Sequence, residues 1–472
     1  MNTHAPDVRE PAVADLFYPK DPAKLTALID TFLAEATIQP VGELRALVCP
    51  HAGYPYSGPT AAYAYKLLEG RHYDTVVVMG PSHYADLSVG SMPRAKIYRT
   101  PLGDVSVSAE KVEHLALSGS FSIDPPCRVQ RPDWGRAHSL PAMVTAETWE
   151  HSVEVEVPFL QRTLDPFGLV PIIFGETDPA DAARVLASLL DEKTLIVASS
   201  DLSHFHPYAE ACQIDQECVD AICRLDLTVM EQQEACGKIP ILVLMHLAKT
   251  MGWKVRLLDY RNSGDTSGQK AQVVGYAAIA FYAPFGRCLQ AVERQSLLGI
   301  ARAALHEAVT GRRLLRGCEL TTNLIKPRGC FVTLTQNGDL RGCIGNLTPQ
   351  HPLHQAVAEN ARSAALHDPR FPPVSSAEVG GLHIEVSVLS EPQPLSFSSP
   401  EDLLLKLQVG DGVILQMGRH AATYLPQVWE QLPDKVAFLN SLSQKAGCHA
   451  SDWRNSGTRV SLYEVEAFEE QV

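Results

Sequence analysis

The stretch of sequence that decides the fold is residues 76–83 (VVVMGPSH), a short apolar run that closes on Gly, Pro and Ser and ends at His83. The same pattern occurs at residues 47–51 (LVCPH), which end at His51, and at residues 195–201 (LIVASSD), with His204 just beyond. Short β-branched and aliphatic runs of this kind are typical of strands that are buried on both faces of a sheet. The sequence therefore predicts an α/β domain with a mainly parallel sheet.

Ligands of an open α/β sheet bind outside the carboxyl ends of its strands. Three histidines delivered to that edge could meet in one site, and neutral imidazole is the commonest metal ligand in proteins. The alternative is that each histidine only caps its own strand through a local hydrogen bond. The recurrence at three equivalent positions favours a shared metal site.

Composition restricts the class of protein. The chain has 472 residues, a formal net charge of −14 and a pI of about 5.6. This negative charge disfavours a general nucleic-acid binder, which would carry a basic stripe. It also disfavours binding to an anionic membrane surface. The sequence has no apolar stretch that could span a bilayer and no signal-peptide pattern at its start, so we expect a cytoplasmic protein. The eleven cysteines form no C-x-x-C pair, which favours reduced, mostly buried thiols.

The chain is long enough for two domains. Strand-like and helix-like segments alternate up to a break at residues 283–286 (APFG), which predicts one domain over residues 1–286. After the break the pattern changes to strands, a hairpin turn at residues 337–339 (NGD) and two helices. Residues 287–472 are therefore predicted to form a smaller α+β domain.

A series of ordered motifs gives residues 9–283 a family resemblance. These motifs include residues 50–54 (PHAGY), 80–84 (GPSHY), 150–154 (EHSVE), 199–204 (SSDLSH) and 260–265 (YRNSGD). In these motifs the chain resembles the Memo family, whose fold is similar to that of class III extradiol ring-cleaving dioxygenases. The resemblance implies an α/β fold of that type.

The resemblance also implies a metal site. His51 and His83 would be ligands, with Asp201 and His204 beside the metal and His204 a further candidate ligand. Animal members use a cysteine in the loop before the last strand, whereas that loop here, residues 262–268 (NSGDTSG), has none. Asp265 is the expected carboxylate substitute. Such a set fits Fe(II), the metal that the dioxygenase relation implies, with Zn, Mn or Cu as alternatives.

Two further pairs of residues are candidates for catalysis. Glu150 and His151 could share a proton or fix a tautomer, although adjacent side chains usually face apart and Glu150 could instead cap a helix. Asp201 and His204 are three residues apart and would share one face of a helical turn. The alternative for Asp201 is a helix N-cap.

A second resemblance covers residues 287–472. Its most specific motif is residues 340–345 (LRGCIG), and residues 329–334 (GCFVTL) and 368–373 (DPRFPP) also match. These motifs resemble the AMMECR-type domain. Arg341 could hold a carboxylate or phosphate of a ligand or cofactor, and Cys343 could act as a nucleophile. The alternative, which we favour for Cys343, is a tight strand turn that buries the thiol.

The pairing of the two families is similar to the components of the AmmeMemoRadiSam system. We therefore expect a two-domain fusion that binds a metal, carries out redox chemistry and acts with a separate radical S-adenosylmethionine protein. The substrate would be a small molecule or a peptide, and a homo-oligomer is possible. The alternatives are a non-enzymatic metal- or peptide-binding scaffold and a zinc-dependent hydrolase.

Overall fold

The computed structural model describes residues 7–38, 41–137, 143–283, 289–313, 320–347 and 349–470. The chain divides into two compact units, Met1–Ala283 and Pro284–Val472. The predicted boundary between residues 286 and 287 lies outside the described residues. Of the helices in the described ranges, none is both long and apolar enough to cross a membrane.

The first unit alternates strands and helices, as predicted. Its strands are β1 (Val8–Arg9), β2 (Glu43–Cys49), β3 (Thr75–Pro81), β4 (Ala85–Asp86), β5 (Gly90–Met92), β6 (Ile97–Thr100), β7 (Gly103–Ser106), β8 (Phe121–Ile123), β9 (Arg128–Val129), β10 (Gly168–Phe174), β11 (Thr194–Ser199), β12 (His204–His206), β13 (Lys254–Asn262) and β14 (Val273–Ala283). Its helices are α1 (Pro22–Glu35), α2 (Tyr54–Lys66), α3 (Ala109–Ala116), α4 (Val157–Thr163), α5 (Pro179–Leu186), α6 (Tyr208–Cys223), α7 (Leu227–Glu231), α8 (Lys238–Met251) and α9 (Ser263–Ser267).

One large sheet organises this unit, in the order β12-β14-β2-β11-β3-β10-β5-β8, with β13 on β14. The four central strands β2, β11, β3 and β10 are parallel neighbours. They are the most continuously apolar segments because helices cover both faces of a parallel sheet. The flanking strand β14 runs antiparallel to β2 on one side and to β13 on the other. The sheet is therefore mixed, and the predicted mainly parallel arrangement holds for its four central strands and for the pair β5–β8.

The second unit consists of antiparallel sheets with helices, which agrees with the predicted α+β class. One four-stranded sheet has the order β16-β15-β17-β22 and the other has the order β18-β21-β19-β20. The strands are β15 (Cys330–Gln336), β16 (Asp339–Asn346), β17 (Leu382–Leu389), β18 (Gln393–Leu395), β19 (Gly412–Met417), β20 (His420–Tyr424), β21 (Thr458–Tyr463) and β22 (Val465–Glu469). The helices are α10 (Ala291–Thr310), α11 (Thr322–Ile325), α12 (Leu353–Leu366), α13 (Pro400–Lys406) and α14 (Lys435–Lys445).

Two separate cores hold these sheets. Alternate residues of β15 and β17, such as Val332 and Val386, are fully buried against α10 and α12. The other core lies between the second sheet and α14, around Trp429 and Phe438, whose rings stack at 3.7 Å. The 340–345 motif lies on the edge strand β16. It is thus held between β15 on one side and α12 on the inner face.

Candidate metal centre

The carboxyl ends of β2, β3 and β11 lie side by side, because these strands are parallel neighbours. His51 follows β2, His83 follows β3 and Asp201 follows β11. Asp201 ties the edge together, since its Oδ1 accepts the backbone N–H of His51 at 2.9 Å and that of Ala52 at 3.3 Å. The predicted sheet edge therefore exists, and two of the three predicted histidines meet there.

The third imidazole at this edge is His151. His51, His83 and His151, hereafter the histidine cluster, each offer a ligand atom, and these atoms lie within 4.8 Å of one another. The rings of His83 and His151 stack with centroids 4.4 Å apart, and the ring of His51 stands nearly perpendicular to both. His51 and His151 are buried while His83 is exposed, so the cluster is open on one side.

The environment keeps two of these imidazoles neutral. Burial, together with the neighbouring histidines, lowers the pKa of His51 well below its ordinary value. Burial also lowers the pKa of His151 to about 4, although Glu150 opposes this shift. A neutral imidazole has the free lone pair that a metal requires. Among the described residues the Nδ1 of His151 is buried, lies 3.5 Å from Glu150 Oε1 and has no hydrogen-bond partner, which fits a metal ligand.

Glu150 orients His83 rather than forming an isolated pair with His151. Its Oε1 lies 2.8 Å from His83 Nδ1, and its Oε2 accepts the backbone N–H of His83 at 2.7 Å. Oε1 also accepts the backbone N–H groups of His151 and Ser152. Burial alone would raise the pKa of Glu150, but these hydrogen bonds and the nearby His83 hold it well below its ordinary value. A carboxylate behind a ligand imidazole is the usual way to fix its tautomer.

A remote arginine fastens the segment that carries His151. Arg9 forms a buried ion pair with Glu154 and donates hydrogen bonds to the carbonyl oxygens of Glu150 and Glu147. Glu154 also accepts the backbone N–H groups of Ala12 and Val13. The irregular segment before α4 is thereby held at the sheet edge by contacts more than 130 residues apart in the chain.

The sequence analysis missed Cys236. Its Sγ lies 3.3 Å from His51 Nε2 and accepts the backbone N–H of Asp201 at 3.2 Å. The pair Cys236-Gly237 directly precedes α8, which packs against β3 and β11, and no local pattern in the sequence marked it. Burial raises the pKa of this thiol. The structure therefore brings a thiol into contact with His51, although its sulfur is not one of the ligand atoms of the histidine cluster.

In the second unit, packing accounts for most of the 340–345 motif. Arg341 donates from Nε to Glu378 at 2.9 Å and from Nη1 to the carbonyl oxygen of Pro372 at 2.9 Å. The backbone N–H of Cys343 donates to Asp368 at 2.8 Å. A Cβ at Gly342 would collide with the carbonyl oxygen of Ala364 in α12. The motif thus lets helix and strand approach closely.

Comparison with known proteins also divides the chain into two parts. A family model described as Memo-like protein matches residues 9–280. The chain belongs to the Memo-like protein family. A model described as AMMECR1 matches residues 298–468, so the chain is a fusion of a Memo-like domain and an AMMECR1 domain.

Archaeal and bacterial relatives match over the length of the Memo-like domain. A MEMO1 family protein of Sulfolobus acidocaldarius is 36% identical over 301 residues, which cover 58% of this chain and 99% of that protein. A MEMO1 family protein of Aquifex aeolicus is 37% identical over 289 residues, with coverages of 58% and 99%. Among solved structures, the crystal structure of the uncharacterized protein PH0010 from Pyrococcus horikoshii is 34% identical to this chain. Its match covers 39% of this chain, a shorter part than the two relatives cover, and 94% of its own, with a TM-score of 0.36.

Asp265 does not join the histidine cluster, which corrects its prediction as the third ligand. It is exposed, and its Oδ2 accepts the backbone N–H of Asn262 in a capping box at the start of α9. Its Oδ1 accepts the hydroxyl of Tyr208 at 2.7 Å. Local capping therefore uses both oxygens.

His204 lies outside the histidine cluster, and Asp201 lies at the predicted sheet edge but not on a helical turn with His204. His204 lies on β12 and does not belong to the histidine cluster, although burial lowers its pKa and it is close enough to affect His51. Asp201 lies in the loop after β11 and not at a helix N-terminus. It positions the backbone of His51 from there. In the AMMECR1 domain, Arg341 is occupied by Glu378, while the Cys343 side chain is half-buried and accepts a hydrogen bond from Thr333 Oγ1 at 3.4 Å.

Proposed function

We propose that the Memo-like domain binds a redox-active transition metal, with Fe(II) the expected ion, and carries out oxidoreductase chemistry related to that of class III extradiol dioxygenases. The observation that carries the proposal is the histidine cluster, in which three imidazoles offer ligand atoms within 4.8 Å of one another. A non-haem iron held by few protein ligands keeps open positions for oxygen and substrate, which is the chemistry such a metal would supply.

The donor set changes the reasoning about the metal. A carboxylate at Asp265 would favour hard ions, whereas the neighbouring sulfur is Cys236, whose Sγ lies 3.3 Å from His51 Nε2. Imidazole suits Fe, Zn and Cu, and a thiolate adds affinity for Zn and Cu(I). The site therefore fits iron, and it fits copper better than the sequence predicts. Manganese, which prefers oxygen ligands, fits least.

Zinc-dependent hydrolysis is the second candidate function. Three histidines with one exposed side are the protein ligands of a common type of catalytic zinc site. Zinc in such a site activates a water molecule for attack on a carbonyl. The two candidates differ in the native metal, so metal identity separates them.

A radical S-adenosylmethionine protein is the partner that we propose for this fusion. The support is the resemblance of this pair of domains to the components of the AmmeMemoRadiSam system, which occur alongside such a protein. Their fusion in one chain holds the two domains at a high effective concentration, which suits a common task. The substrate would be a small molecule or a peptide. Affinity capture with the full chain as bait tests the partner. The captured radical S-adenosylmethionine protein is then used as bait and should capture the full chain.

Elemental mass spectrometry of untagged protein purified without oxygen or chelator tests the metal proposal. We expect near-stoichiometric iron in the full chain and its loss in His83→Ala. The matched control is His72→Ala, because His72 is an exposed histidine paired with Asp74 outside the cluster. Zinc in place of iron would support the hydrolase. No metal, with no uptake of Fe(II), Zn(II), Mn(II) or Cu(I), would leave a binding scaffold.

A further inference from the structure

The imidazole of His51 is the first member of a buried hydrogen-bonded chain that runs from the histidine cluster to Tyr65. Its Nδ1 lies 2.7 Å from Ser199 Oγ. The same Oγ lies 2.7 Å from Glu156 Oε1 and 2.6 Å from the carbonyl oxygen of Ser152. Tyr65 donates its hydroxyl to Glu156 Oε2 at 2.5 Å. Each of these side chains from His51 to Tyr65 is at most 2% exposed.

Counting protons fixes the direction of these hydrogen bonds. A serine hydroxyl has one proton to donate and two positions at which to accept. The carbonyl of Ser152 can only accept, so the proton of Ser199 belongs on the 2.6 Å contact with it. The other two partners must then both donate: His51 from Nδ1, and Glu156 from a protonated carboxyl group. Any other assignment leaves two acceptor oxygens facing each other at 2.6 Å with no proton between them.

The surroundings of Glu156 support a neutral carboxylic acid. Its side chain lies inside the domain, and burial raises its pKa to about 8 although Tyr65 and Ser199 bind it. Because Tyr65 donates to Oε2, that atom acts as the carbonyl oxygen and Oε1 carries the proton. No cation contacts this carboxyl group among the described ion pairs. A buried acid without a cation is more stable when neutral.

We propose that Ser199, backed by Glu156 as a neutral acid, is a positioning residue that holds His51 as the Nδ1–H tautomer. The Nε2 lone pair then faces the open edge, where it lies 3.3 Å from Cys236 Sγ. This inference rests on the proposed metal site, since a bare Nε2 is what a metal needs. His83 is oriented in the same way by an ionised carboxylate, that of Glu150. Of the two neighbouring imidazoles, one is therefore held by an ionised acid and the other, through Ser199, by a neutral acid.

The tautomer can be measured on the full chain without metal. Nitrogen NMR of the metal-free protein labelled with ¹⁵N-histidine distinguishes a protonated from a bare ring nitrogen, and His51→Asn identifies the signals of His51. We expect a protonated Nδ1 and a bare Nε2. A bare Nδ1 would overturn the proposal. Because no metal is present, this result is independent of whether the proposed function is correct.

Two substitutions separate positioning from mere packing. Glu156→Gln keeps a donor toward Ser199 and an acceptor toward Tyr65, so it should preserve the tautomer and keep Fe(II) affinity within about twofold. An infrared band of a protonated carboxyl group should disappear in this variant. If that band is absent from the unmodified protein, or if Glu156→Gln disturbs the tautomer, Glu156 is ionised and the proposal is wrong.

Ser199→Ala removes the acceptor of the His51 proton. We expect a mixture of His51 tautomers and an Fe(II) affinity that is lower by roughly 10–100-fold, as is typical when an outer-shell partner is lost. The matched control is Ser91→Ala, because Ser91 is a buried serine of the same domain whose Oγ has no partner among the described residues. An unchanged tautomer in Ser199→Ala would overturn the proposal even if the affinity fell.

Discussion

The histidine cluster and the 340–345 motif both stand out in the sequence, but they use their polar atoms in opposite ways. In the cluster, hydrogen bonds hold one nitrogen of His51 and of His83 and leave the other nitrogen at the open edge. In the motif, Arg341 and the backbone of Cys343 direct their donors to Glu378, Pro372 and Asp368. A metal or catalytic site needs oriented side chains that keep a donor or acceptor atom free for a ligand. A family-specific motif does not by itself provide such atoms.

The largest expected effect is on metal affinity, and it distinguishes two candidate ligands, the Cys236 sulfur and the Asp265 carboxylate. Cys236→Ser should lower Fe(II) affinity by more than the roughly 10–100-fold typical of outer-shell changes, because the sulfur lies against His51 Nε2. Asp265→Asn should leave the affinity within about twofold, since its oxygens bind Asn262 and Tyr208. Competition titration of metal-free protein under nitrogen measures both. Equal losses in the two variants would return Asp265 to the ligand set.

The sequence predicts the parts of this site that depend on short-range pattern. Apolar runs mark β2, β3 and β11, and their shared edge brings His51 and His83 together. Cys236 is 185 residues from His51 in the chain, so its approach depends on how α8 packs on the sheet. No local pattern contains that information.

Local and long-range contacts also explain the two remaining differences. The sequence places Asp265 in a loop that could supply a ligand, but the structure places it in the first turn of α9, where a capping box uses its carboxylate. His151 lies in an irregular segment whose place is set by Arg9, from the other end of the domain. In the AMMECR1 domain, the need for Gly342 becomes visible only when α12 is in contact with β16.

The second prediction tests whether the 340–345 motif is a packing device. Gly342→Ala should lower the free energy of unfolding of the AMMECR1 domain by about 1–3 kcal/mol, because its Cβ would meet a backbone carbonyl that cannot easily move. Gly380→Ala is the control, since its Cβ would have no neighbour within 4 Å. Denaturant unfolding followed by pulse proteolysis resolves the two domains. A Gly342→Ala protein as stable as the control would remove the packing explanation.

The third prediction contrasts the buried acids of the two domains through pH. Burial raises the pKa of Glu147 to about 8, and its oxygens have no hydrogen-bond partner among the described residues. The folded Memo-like domain therefore binds this proton more tightly than the unfolded chain. The resulting stabilisation is complete below pH 4.5, the ordinary pKa, and is lost as the pH rises through 8.

In the AMMECR1 domain the sign is reversed. The hydrogen bond from Arg370 holds the pKa of Asp368 below its ordinary value of 3.8, so its stabilisation is lost only as the pH falls below that value. Between pH 5 and 8 the Memo-like domain should lose stability with a slope of up to about 1.4 kcal/mol per pH unit from Glu147, and the AMMECR1 domain should show no change from Asp368. Pulse proteolysis at each pH measures both slopes. Glu147→Gln should reduce the first slope without abolishing it, because burial also raises the pKa of Glu156 to about 8. An unchanged slope in this variant would assign the effect to other groups.

The smallest expected effect is that of substituting Cys343 in the AMMECR1 domain, compared with Cys236 in the Memo-like domain. Cys343→Ser should change the free energy of unfolding of the AMMECR1 domain by less than about 1 kcal/mol, because a thiol is a weak hydrogen-bond partner and this half-buried one contacts Thr333 Oγ1 and Arg370. It should also leave metal content unchanged, whereas Cys236→Ser should not. Mass spectrometry after mild iodoacetamide treatment shows whether the Cys343 thiol is accessible. If Cys343→Ser lowers the metal content, the motif takes part in the chemistry of the Memo-like domain, and packing is then only part of the reason for its residues.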